Sequence, residues 1–123
     1  MRKRAFTLIE LLVVLAIVAT LLTLAVPRYF KSVDRSKETV LKENLNQVRD
    51  ALQKYYADKG KYPESLDALV SEKYLRKMPF DPVTDSPDTW IIVPPADPQQ
   101  RGVYDVRSGA PGSASDGTAF ADW

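Results

Sequence analysis

From Phe6 to Val26 the chain reads FTLIELLVVLAIVATLLTLAV, seventeen apolar residues in twenty-one, interrupted only by Thr7, Glu10, Thr20 and Thr23. As a helix this run rises roughly 30 Å, the thickness of a bilayer's hydrocarbon core. A buried core helix of this character needs a much larger protein around it, and the whole chain has 123 residues. The segment therefore reads as a membrane span. Arg2, Lys3 and Arg4 precede it, and that basic flank places the amino end on the cytoplasmic side.

The rest of the chain is different in character. Residues 27–123 hold 36 apolar side chains in 97, and all nine Pro and all five Gly fall within them. Pro27 is expected to kink a helix or remove one of its hydrogen bonds rather than to stop it. Beyond it Val33, Val40, Leu41, Leu45, Val48, Leu52, Tyr55 and Tyr56 recur at steps of three and four, marking one apolar helical face. The opposite face is charged, and Glu38–Lys42 and Asp50–Lys54 have the favourable acid-before-base i, i+4 order. Gly60, with Pro63 after it, should end this helix.

A short second helix is expected over 65–75, with Leu66, Leu69, Val70 and Tyr74 on one face. A proline-rich loop over 78–88 follows. Residues 89–93 (TWIIV) and 102–106 (GVYDV) read as two strands of an antiparallel hairpin lying on the long helix, with Phe120 and Trp123 anchoring the tail. The fold class is α+β: a long N-terminal helix, half transmembrane and half amphipathic, packed against a small antiparallel sheet. The expected division is a leader over 1–5, a membrane helix over 6–26 and an outer domain over 27–123.

Composition narrows the chemistry. With no Cys and no His, disulfides, thiolate nucleophiles, imidazole catalysis and Cys- or His-bound zinc are excluded. A formal net charge of +1 gives no electrostatic reason to expect nucleic-acid binding. Neither a phosphate-binding glycine loop nor an activated nucleophile is present, so enzyme activity has little support. Asp81, Asp85 and Asp88 lie among prolines and read as turn residues. Tyr55, Tyr56 and Tyr62 read as packing residues rather than a base-stacking platform.

The residue that stands out is Glu10. A carboxylate within a bilayer helix costs on the order of 2.5–3.5 kcal/mol on insertion scales, so it needs a partner or a function, unless it snorkels to the interface one turn away. Here Ala5-Phe6-Thr7-Leu8-Ile9-Glu10, behind a basic leader, resembles the processing signal of the type IV pilin superfamily. Pro27, the twenty-second residue counted from Phe6, falls where many members have proline. Tyr62-Pro63, Tyr74-Leu75-Arg76, Pro79, Asp81-Pro82, Trp90, Tyr104-Asp105-Val106, Ser108-Gly109, Asp116-Gly117 and Trp123 are similar to the major pseudopilins of type II secretion systems.

That resemblance implies cleavage between Ala5 and Phe6 by a prepilin peptidase that also methylates the new Phe6 amine. Ala5 stands where the family usually has Gly. Loss of the leader leaves 14 basic and 16 acidic side chains. It also implies that Glu10 pairs with the Phe6 amine of a neighbouring copy and sets the stagger, with residues 11–26 as the filament core. The chain would be a single-pass protein of the bacterial inner membrane with a periplasmic C-terminal domain. It would form a homo-oligomeric filament that works with minor pseudopilins and an inner-membrane secretion platform to drive protein export. The same N-terminus also serves type IV and competence pili used for adhesion, motility or DNA uptake. A secreted binding domain, with Thr23 and Ala25 as a signal-peptidase site, is the reading from another class.

Asp105, Ser108, Asp116 and Asp122 lie in a Gly- and Ser-rich tail with no basic residue after Arg107. Carboxylate and hydroxyl oxygens are ligands that Ca²⁺ favours, and the resemblance implies calcium in this loop. Asp116, Ser108 and Asp122 are the candidate ligands, with Asp116 foremost. Pro111 departs from the acidic residue common there in the family. A solvated acidic loop with Asp at turn positions is the competing reading.

Overall fold

The computed structural model describes residues 5–123, so the basic leader residues Arg2, Lys3 and Arg4 lie outside the described residues. The chain forms two compact units, the first ending at Asp34 and the second running Arg35–Trp123. Its elements are α1 (Leu8–Lys59), α2 (Leu66–Ser71), β1 (Ile91–Val93), β2 (Asp105–Arg107) and a closing 3-10 turn, Phe120–Asp122. One long helix and a two-stranded antiparallel sheet give the expected α+β class.

Pro27 lies inside α1, which continues through it. The first fully buried side chain of the helix is Leu41. From there Leu41, Leu45, Val48, Leu52 and Tyr55 follow the 3–4 rhythm into the core, with Ala51 beside them. Val40 and Tyr56, each one residue off that stripe, stay largely exposed. The helix ends as its sequence indicates: Gly60 adopts φ +70°, and its N–H donates to the Tyr56 carbonyl at 2.8 Å.

The second helix is shorter than expected. It stops at Ser71, and Lys73 takes a left-handed φ of 68°. The N–H groups of both Tyr74 and Leu75 then converge on the Leu69 carbonyl at 2.9 Å. This tight exit buries Leu75 and lets the Tyr74 hydroxyl donate to Asp58 Oδ2 at 2.7 Å. That carboxylate pushes the Tyr74 phenol up to about 12.

The hairpin is present with Ile92 opposite Val106, but both strands begin later than expected. Trp90 stays out of the ladder: its indole is buried and its Nε1–H donates to the Pro79 carbonyl at 2.9 Å. Val103 gives its N–H to the Pro63 carbonyl at 2.8 Å, so the chain joins the sheet only after Tyr104 N–H meets the Val93 carbonyl. Ile91 and Ile92 are about half exposed, at 51% and 48%, whereas Val106 is fully buried.

The core joins the α1 stripe to Leu69, Leu75, Trp90, Val103, Val106, Ala110, Ala114 and Phe120. Trp123 packs edge-on against Phe120 at 5.1 Å, as the tail anchors were expected to do. The three tyrosines are packing residues: Tyr62 stacks on Tyr56 at 4.5 Å, and Tyr55 meets Tyr74 at 5.3 Å. Asp81 is fully buried. Its Oδ1 accepts the Val83 N–H at 2.9 Å as a turn residue does, and its Oδ2 accepts the Ser108 hydroxyl at 2.7 Å.

Beside that pair, Gly109 lies hard against the 78–90 loop. A Cβ there would stand 2.2 Å from the Thr89 carbonyl oxygen. Gly109→Ala must therefore displace backbone, and overpacking of this kind costs about 1–3 kcal/mol. Thermal unfolding of the full chain in detergent should show a clearly lowered midpoint for this variant. An unchanged midpoint would mean that the two loops are not held in contact.

Candidate functional site

The amino end of α1 is built by its own sequence. The Thr7 hydroxyl accepts the Glu10 N–H at 3.1 Å, and a Glu10 carboxylate oxygen accepts the Thr7 N–H at 3.3 Å. This is a reciprocal capping box, Thr-x-x-Glu, which satisfies two of the donors that a helix start leaves unpaired. The carboxylate also sits at the positive end of the helix dipole. Glu10 thus has a local partner in the single chain, and the nitrogen it bonds is the next along the backbone from that of Phe6. The Thr-x-x-Glu spacing of residues 7–10 is the sequence signal for this box.

Ala5 and Phe6 are both exposed. From Phe6 at 87% to Val26 at 43%, every large apolar side chain of the segment is exposed. The polar interruptions are neutralised from within. The Thr20 and Thr23 hydroxyls donate to the Ala16 and Ala19 carbonyls, both at 2.8 Å. By length and composition α1 is able to cross a membrane. Pro27, the other residue singled out for assembly, lies within the helix, where it has no N–H to give the Thr23 carbonyl four residues before it.

Of the three candidate calcium ligands, Asp116 and Asp122 line one cleft and Ser108 lies apart from them. Ser108 is fully buried; its hydroxyl donates to Asp81 and accepts the Ala110 N–H at 3.1 Å. Asp116 and Asp122 instead line an open cleft with Lys42, Asn46, Arg49 and Trp123. Asp116 Oδ1 accepts the Thr118 hydroxyl at 2.6 Å and the Thr118 N–H at 3.0 Å. Those two bonds, with the Lys42 charge, hold its carboxyl below the usual range. Asp105, from the same stretch, is engaged by Arg49 at 2.9 Å. No group of three carboxylates able to hold a metal forms among the described residues. The candidate side chains by themselves do not make up the six to eight oxygens that Ca²⁺ takes.

Two side chains read as an intrahelical pair act elsewhere. Glu38 does not serve Lys42; its carboxylate accepts both the backbone N–H and the hydroxyl of Ser115, each at 2.7 Å. Lys42 places its ammonium 4.6 Å from the Trp123 ring centroid. The Asp50–Lys54 pair forms as its spacing indicates, at 3.0 Å.

Comparison with known proteins gives this geometry its family. Residues 1–26 match the prokaryotic N-terminal methylation motif, and residues 28–120 match the profile of type II secretion system protein G. The chain belongs to the type II secretion system protein G family. It is 29% identical to the type II secretion system core protein G of Pseudomonas aeruginosa, over 99% of this chain and 96% of that one. To the core protein G of Escherichia coli K12 it is 26% identical, over 89% of this chain and 83% of that one. A likeness of 38% to the type IV major pilin protein PilA of Myxococcus xanthus covers 51% of this chain and 29% of that protein. No solved structure matches. Within this protein G chain, the matched methylation motif contains Ala5, Phe6, Thr7 and Glu10 together.

If the capping box holds the helix start, Thr7→Ala should free the Glu10 amide. Loss of such a cap costs about 1 kcal/mol, a roughly five-fold faster exchange of that amide. Hydrogen exchange of the full chain in detergent micelles reads this directly. Equal rates in the variant and the unaltered chain would show that the box does not form.

Proposed function

We propose that this protein is the structural subunit of a periplasmic pseudopilus that drives protein export by a type II secretion system. The observation that carries the reading is an exposed apolar helix start, carrying Glu10, joined in one chain to a segment that matches protein G. In this reading the chain spans the bacterial inner membrane once, with residues 1–5 on the cytoplasmic side and the C-terminal unit in the periplasm. A prepilin peptidase cuts between Ala5 and Phe6 and methylates the Phe6 amine. The chain is not an enzyme; its work is mechanical, and energy comes from partner proteins on the membrane platform. Minor pseudopilins share the filament.

Processing creates an amine at Phe6 close to the carboxylate of Glu10. Inside one chain Glu10 caps its own helix; between chains it meets the amine of a neighbour, which neutralises both charges in an apolar setting. Because each copy offers an amine and takes another, the contact is head-to-tail and does not close, and a filament results. Residues 11–26 exchange lipid for the same segment of other copies.

A pilus subunit is the second reading, favoured by the likeness to the Myxococcus pilin. That likeness extends over half the chain, whereas the likeness to core protein G extends over nearly all of it. Mass spectrometry of the protein recovered from cells should find a chain beginning at methylated Phe6. A chain beginning at Val26 would overturn the reading in favour of an ordinary secreted domain. Deletion of the gene should stop release of exported proteins; loss of a surface fibre with export intact would favour the pilus.

A further inference from the structure

The tail from Asp105 to Trp123 is tied to α1 at three points, and all three belong to one face of the helix. Glu38, Lys42 and Arg49 follow one another at steps of four and seven residues. Glu38 clamps Ser115 by its N–H and its hydroxyl. Lys42 lies over the Trp123 ring. Arg49 donates from Nε to Asp105 Oδ1 at 2.9 Å, and from one terminal nitrogen to the carbonyls of Val106 at 2.9 Å and Trp123 at 2.6 Å.

The tail is also closed on itself. Ala114 N–H donates to the Thr118 carbonyl at 2.7 Å, and Thr118 turns back onto Asp116. The Trp123 Nε1–H donates to the Thr118 hydroxyl at 2.8 Å, which links the ring under Lys42 to the Asp116 turn. The cleft between tail and helix is lined by two carboxylates, Asp116 and Asp122, and by two fixed cations, Lys42 and Arg49. Arg49 is already bonded to Asp105, and Lys42 lowers the carboxyl of Asp116 by its charge. An entering divalent ion would meet an ammonium and a guanidinium, and would find no hydroxyl from Ser108, which is committed to Asp81.

We propose that the Glu38–Lys42–Arg49 face of α1 fastens the C-terminal loop in place of a divalent cation, with the Lys42 ammonium as the cation of the cleft. The loop is then set by the chain's own side chains, and folding of the C-terminal unit does not depend on calcium. This goes beyond the assignment to a pseudopilus and stands apart from it, because N-terminal processing is measured separately.

The test is hydrogen exchange of the full chain in detergent micelles, read at the amides of Ser115, Gly117 and Thr118. Exchange should be the same in EDTA and in millimolar calcium chloride. Lys42→Met, which keeps the aliphatic stem but removes the charge, should speed exchange about two- to five-fold, and Lys42→Arg should retain protection. Glu38→Ala, which leaves every core side chain in place, should speed exchange at Ser115. The buried indole of Trp90 reports by its fluorescence that the variants remain folded. Slower exchange of the unaltered chain in calcium would overturn the proposal, as would unchanged exchange in Lys42→Met.

Discussion

The apolar side chains between Phe6 and Val26 have no cover within their own chain, and that exposure governs the rest of the molecule. Burying one such side chain is worth about 1.5–3 kcal/mol, so more than a dozen of them cannot remain in water. Cover has to come from outside the chain; in the proposed reading it comes first from lipid and then from other copies. A helix suits both media because its backbone groups are paired internally. The threonines suit both as well, since the Thr20 and Thr23 hydroxyls are paired within the helix.

The second, small unit folds around whatever the helix offers. One stripe, Leu41 to Tyr55, supplies a wall of the core, and the loops are brought to it by polar contacts rather than by bulk. The buried Asp81 binds its own turn and Ser108 at once, tying the 78–90 loop to the start of the tail. Every buried side-chain polar atom among the described residues has a partner. Leaving one unpaired costs more than the bond itself gains, so these contacts specify where each loop sits. Arg49 extends the same logic to the C-terminus, reaching two carbonyls and a carboxylate from one helix position.

Features set by neighbours in sequence were legible. The long apolar helix start, the passage of α1 through Pro27, its end at Gly60, the hairpin and the Phe120 and Trp123 anchors all follow from local composition and spacing. Features set by distant partners were not. Both strands start late because Trp90 turns inward to Pro79 and Val103 is held by Pro63, a pairing across forty residues of chain. Glu38 and Lys42 look like a helical ion pair until a loop 77 residues away supplies Ser115. Ser108 looks like a surface ligand until Asp81 is seen beneath it. At the start of α1 the motif marks Ala5, Phe6 and Glu10, and the Thr-x-x-Glu spacing carries the Thr7 half of the capping box.

The central claim is that Glu10, which caps its own helix in the single chain, meets the processed amine of another copy in the filament. Solid-state NMR of mixed filaments measures this contact. Half of the subunits would carry ¹³C-labelled glutamate carboxyls and half ¹⁵N-labelled phenylalanine, so that only contacts between copies transfer magnetisation. The Phe6 amine nitrogen is distinguished from the other phenylalanine amides by its shift. The account predicts transfer to a glutamate carboxyl carbon over a separation within ion-pair range, about 4 Å. Well-ordered mixed filaments with no such transfer would contradict it.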